Sequence, residues 1–131
     1  MEYAFPWPVS PGEWLAWLSA AATVLVGIVH FFMPNLALRL RRLQTDPGHP
    51  EALAEVRGPM AGFFIGLGLT CILLAQPLIY FALGMAWGCT VFGRIVSILS
   101  DRASTVVNWL LLLAELVLCL LPFGFAFGFI T

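Results

Sequence analysis

Two ionisable side chains of opposite sign stand inside long apolar runs, and they raise the first chemical question. Arg94 lies six residues before the end of LIYFALGMAWGCTVFGRIVSILS (78–100), and Glu115 sits within VVNWLLLLAELVLCLLPFGF (106–125). A charge left facing lipid at the centre of a span costs about 2.5 to 3.5 kcal/mol on insertion scales. Arg94 lies roughly 9 Å from the end of its run at helical rise and can snorkel in part, whereas the short side chain of Glu115 cannot. Each is therefore expected to be the other's partner. Glu55 and Arg57 precede another apolar run, and Asp101 ends the stripe Thr90, Arg94, Ser97 and Asp101. With His30 nearby, these residues form a candidate charge cluster. It could fix helix register, or it could line a polar pocket that holds the head group of an amphipathic molecule. A proton-transfer or redox site using His30 and Glu115 is the alternative.

Other chemistries find no support in the residues. Cys71, Cys89 and Cys119 each lie in an apolar run without CxxC spacing and read as packed thiols. His30 has no second or third ligand to make a metal or haem site with, and His49 sits in a Pro- and Gly-rich loop facing solvent. There is no Ser-His-Asp or Cys-His set, phosphate loop or dinucleotide motif.

The elements that must position the cluster follow from composition. The 131 residues are 61% hydrophobic and 10% charged, with mean hydropathy +0.97. A chain of this size cannot hide so much apolar surface in a water-soluble core, so lipid is expected to solvate most of it. A net charge of -1 and only six basic residues, all arginine, exclude a nucleic-acid partner. The expected fold is an all-α integral membrane protein, with residues 1–131 forming one domain. Four transmembrane helices, at about 13–33, 59–75, 78–100 and 106–130, make an up-down bundle. A short interfacial helix in NLALRLRRLQ (35–44) joins the first two, with Leu36, Leu40 and Leu43 on one side and Arg39, Arg41 and Arg42 on the other.

Small residues mark the faces where helices can approach. Gly58, Gly62 and Gly66 recur every fourth residue and form a groove on the second span, where an amphiphile's tail or another helix could lie. Pro59 either kinks that helix or starts it. Gly84 and Gly88 form a second small-residue face on the third span. In the first span Ser19, Thr23, Gly27 and His30 share a sector expected to face protein. All six arginines lie in or near the two loops opposite the termini, so the positive-inside rule puts those loops in the cytoplasm and both termini outside.

The order of these features resembles a known family. An ExRG run before a glycine-rich helix, then GR followed by Ser and Asp, then a glutamate in the last helix, is similar to the bacterial membrane-protein family catalogued as domain of unknown function 4345. The positions that carry the likeness are Glu55, Arg57, Gly58, Gly62, Gly66, Gly68, Gly93, Arg94, Ser97, Asp101 and Glu115, and it covers nearly the whole chain after residue 13. The family often has a glycine after the aspartate, where this chain has Arg102. The resemblance implies a four-helix membrane fold and brings no assigned activity. A looser likeness, in fold, is to the DoxX-type four-helix membrane proteins, some linked to quinone or redox chemistry.

The functional expectation is a small, non-catalytic binding or accessory protein of the bacterial inner membrane, multi-pass, with both termini periplasmic. Its Arg/Glu cluster would hold a lipid- or quinone-like head group, or a partner helix in a larger membrane complex. No metal or other cofactor is implied beyond such a lipid or quinone. Membrane lipids are the expected partners, together with a homo-oligomer or a larger complex through the glycine faces.

Overall fold

The computed structural model describes residues 5–130; residues 1–4 and 131 of the expected domain lie outside them. Ser10 opens α1 (Pro11–Phe32), its hydroxyl accepting the Glu13 N–H at 3.2 Å, and Pro11 occupies the first turn, where its missing N–H leaves no bond unmade. Pro34 then starts the short α2 (Pro34–Leu40). The third helix, α3 (Glu51–Leu74), contains a π turn at Val56–Met60. Pro77 starts α4 (Pro77–Ser100), and the Thr105 hydroxyl caps α5 (Val106–Ala126) by accepting the Asn108 N–H at 3.2 Å. Helices α1, α3, α4 and α5 have 22, 24, 24 and 21 residues and are long and apolar enough to cross a membrane. No strand occurs among the described residues.

The boundaries differ from the sequence expectation in three places, each with a local cause. The second span is not limited to 59–75, because the helix runs through Pro59. Proline cannot donate to the carbonyl four residues back, and the chain widens there, the Ala61 N–H reaching the Val56 carbonyl. The fourth span stops at Ala126 instead of 130, because Gly128 turns the chain at φ 79° and the Phe129 N–H bonds back to the Gly124 carbonyl at 2.8 Å. The helix expected over 35–44 ends at Leu40. Arg42 adopts φ 60°, and the N–H groups of Arg42 and Leu43 return to the Arg39 and Leu38 carbonyls at 3.1 and 2.8 Å, a Schellman closure.

Packing is built on helix pairs. Helix α1 lies against α3 and α5, and α4 lies against α5; α3 and α4, although joined by only Ala75 and Gln76, touch lightly. Their contact includes Phe64 stacked on Trp87 at 5.6 Å. The core contains Ala16, Ala20, Cys71, Tyr80, Leu83 and Trp87. A polar thread runs through it: the Trp87 indole N–H donates to Thr23 Oγ1 at 2.9 Å, the Thr23 hydroxyl to the Ser19 carbonyl at 2.8 Å, and the Ser19 hydroxyl to the Leu118 carbonyl at 2.7 Å. Ser19, Thr23, Gly27 and His30 are all buried, so that sector of α1 faces protein.

The glycines divide into those that are packed on and those that are open. A methyl group added at Gly27 would lie 2.9 Å from the Ala61 carbonyl oxygen, and one at Gly68 would lie 2.8 Å from that of Ala20. Backbone, not a movable side chain, fills the space. Gly84 is pressed by the Phe123 ring, and a methyl at Gly88 would sit 3.4 Å from Cys119 Sγ. A methyl group added at Gly58, Gly62 or Gly66 would meet nothing within 4 Å beyond its own stretch of helix. The groove expected on that face is not occupied by any helix of the chain; α1 meets α3 on another side. Gly68→Ala should therefore destabilise the bundle by about 1–3 kcal/mol through overpacking, whereas Gly62→Ala should be neutral or stabilising by about 0.5–1 kcal/mol through helix propensity. Reversible unfolding in mixed detergent measures both, and equal effects would contradict this division.

Candidate functional site

The expected ion pair is formed. Arg94 Nε and Nη2 donate to Glu115 Oε1 and Oε2, each at 2.6 Å, a bidentate fork between α4 and α5. The side chains are 17% and 5% exposed, so the charges meet where water is scarce. Arg94 Nη1 donates to Asn108 Oδ1 at 2.7 Å, while the Asn108 amide donates to the Ala103 carbonyl at 2.8 Å. Asn108 lies on the same stripe of α5 as Glu115, two turns nearer its start, and aligns the guanidinium plane that the carboxylate then grips.

The remaining residues of the expected cluster are placed differently. Glu55 and Arg57 are exposed and form no ion pair among the described residues, so they do not close a rim over the Arg94–Glu115 pair. The π turn explains this, because its wider winding shifts Glu55 out of phase with the helix that follows. Asp101 is also exposed and accepts the Ser97 hydroxyl at 2.9 Å. His49 lies in the exposed loop near Asp46 and Glu51, at 3.5 and 3.0 Å.

The structure adds Arg41, which the sequence presented as one of three arginines on the outer side of an interfacial helix. Arg41 continues the buried face of α2, which carries Pro34, Ala37 and Leu38, at helical spacing and so lies inward, while Leu36, Arg39, Leu40 and Leu43 are exposed. The Arg41 guanidinium carbon lies 5.8 Å from the centre of the Phe64 ring, close enough for a cation–π contact. Phe64 in turn lies 5.3 Å from the His30 ring. Burial lowers the Arg41 pKa from its ordinary value; the Glu115 charge raises it and that of Arg94 lowers it further. An arginine remains a cation through such shifts. Among the described residues the Arg41 guanidinium donates to no acceptor.

Two adjoining cavities meet at Arg41 and Leu111. The larger, about 270 Å³, lies among α1, α2 and α5, with Leu25, Val29, Leu40 and Leu111 in its wall and His30 and Arg41 as its polar members. The smaller, about 210 Å³, gathers Arg41, Arg42 and Arg94 with Thr105 and Asn108. His30 is 3% exposed. Its Nδ1 lies 2.7 Å from the Val26 carbonyl, which can only accept, so Nδ1 carries a proton and donates it there. Nε2 has no partner. The expected tail groove beside Gly62 and Gly66 is thus not the cavity that adjoins the charges. No group of three or more His, Cys, Asp or Glu able to hold a metal occurs among the described residues.

Fold and site together describe a small helical bundle with four helices of membrane-crossing length and a buried Arg/Glu pair. A family model described as Domain of unknown function (DUF4345) matches residues 12–125, and the chain belongs to that family. No curated protein matches it, and no solved structure does.

Glu115→Leu would strand the Arg94 cation and should destabilise the fold by about 3 kcal/mol or more. The double variant Arg94→Met with Glu115→Leu should recover most of that loss. The four-species cycle, measured by reversible unfolding in mixed detergent, should give a coupling of at least about 1 kcal/mol. Additive losses would mean that the pair does not act as a unit.

Proposed function

We propose that this protein is a non-catalytic binding protein of the bacterial inner membrane that holds a lipid- or quinone-like amphiphile. The observation that carries this reading is the pair of cavities joined at Arg41 and Leu111, one lined by aliphatic side chains and the other by arginines. Such a gradient suits a molecule with an apolar tail and a polar head. In this reading the four long helices cross the bilayer up and down as one domain. The arginine-bearing end faces the cytoplasm and both termini face the periplasm.

A proton-transfer role for His30 and Glu115 is less well supported. Both carboxylate oxygens of Glu115 already accept from Arg94. To take a proton, the carboxylate would have to give up a charge-assisted pair in a dry site. The site's geometry favours holding over turnover.

Native mass spectrometry of protein extracted with its own lipids tests the reading. A bound amphiphile should be retained, and Val29→Trp, which fills the aliphatic cavity, should remove it while the helical circular dichroism is kept. Equal retention by Val29→Trp would overturn the assignment of this cavity, and absence of any retained amphiphile would overturn the function.

A further inference from the structure

The charge balance of the site selects the chemistry of the head group. Three arginines, Arg41, Arg42 and Arg94, line the smaller cavity, and the carboxylate facing them, Glu115, has both oxygens taken by Arg94. Asn108 Oδ1 is likewise taken by Arg94 Nη1. Among the described residues Arg41 and Arg42 form no ion pair, and Arg41 is partly withdrawn from water. An unpaired guanidinium in such a place lacks acceptors that water would otherwise supply. Resting on the amphiphile reading above, we propose that the head group is an anion, a phosphate ester or a carboxylate, seated between Arg41 and Arg42 with its tail in the aliphatic cavity. A neutral quinone would leave the part-buried Arg41 without an anionic acceptor.

Two further observations, independent of charge, converge on the same place. His30 is a lining residue of the adjoining cavity, and its buried Nε2 has no hydrogen-bond partner among the described residues. Arg42 holds φ 60°, a left-handed conformation that a non-glycine residue adopts at a cost. That conformation ends α2 and places consecutive arginines on the rim of one cavity, so the strained residue is also the binding residue. Glycine at position 42 would close the helix with less strain, but it would lose the guanidinium.

Detergent-solubilised full-length protein is titrated, by native mass spectrometry and by thermal shift, with four probes. These are phosphatidylglycerol, phosphatidylcholine, decylubiquinone and inorganic phosphate. Phosphatidylglycerol should bind at least about tenfold more tightly than phosphatidylcholine or the quinone, the difference expected from a matched pair of charge-assisted contacts. Arg41→Gln should weaken it by about tenfold, while Arg39→Gln, which removes an exposed charge from the same helix, should not. Arg42→Gly should raise the melting temperature of the ligand-free protein and weaken phosphatidylglycerol as Arg41→Gln does.

Equal binding of quinone and phosphatidylglycerol, unchanged by Arg41→Gln, would overturn the anionic head group and leave the amphiphile reading intact. Inorganic phosphate binding as tightly as the lipid would overturn the amphiphile reading, because the tail would add nothing. Equal losses in Arg39→Gln and Arg41→Gln would overturn the site itself, reducing it to general surface attraction.

Discussion

A guanidinium and a carboxylate cannot be taken out of water separately. The Arg94–Glu115 fork meets that constraint, and much of the arrangement around it follows. Both charges must reach the same depth, which sets the register of α4 against α5. Gly84 and Gly88 then permit the approach, since Phe123 and Cys119 occupy the space a larger residue would need. Asn108 holds the guanidinium in plane from one side and ties the start of α5 to the preceding turn through Ala103. The same fork consumes the one carboxylate that the described residues bring to the site. This is why the neighbouring arginines stand without a partner.

A second, neutral thread holds α1 to the rest of the bundle. Trp87, Thr23, Ser19 and the Leu118 carbonyl form a relay of hydrogen bonds from α4 through α1 to α5. In an interior with few competing donors, each such bond is directional and expensive to break. The charged pair and the neutral relay lie on different helix pairs, so each orients what the other leaves free. The cavities open where both give out, at the end of α1 where α2 turns across α5.

Much of this was legible in the sequence, for reasons that are local. Long apolar runs broken by proline and turn residues placed the four long helices. Isolated opposite charges at similar depths placed the ion pair, and the Ser19, Thr23, Gly27 and His30 sector was readable because polar residues at helical spacing seldom face lipid. The glycines were harder to read. A stripe such as Gly58, Gly62 and Gly66 says that a helix can be approached, not that one of its own neighbours will do so, and the close contacts fell at the solitary Gly27 and Gly68. Arg41 was missed because the face of α2 that packs inward is the one carrying Pro34, Ala37 and Leu38, with Arg41 next in phase, and not the leucine stripe that the apolar pattern favoured. The backbone of Arg102, just after α4, was no more predictable than that of Arg42. It has positive φ, 54°, a conformation that glycine would adopt without strain.

The π turn in α3 has a consequence for how the chain tolerates change. A turn that closes over five residues instead of four absorbs one extra residue inside a helix, where a regular helix would have to rotate everything beyond it by about a quarter of a revolution. The segment before it and the segment after it therefore keep separate phases, like two shafts joined by a coupling. Residues near Glu51 can drift in length or angle to suit whatever lies at that end of the molecule, while the stretch from Ala61 onward stays seated against α1.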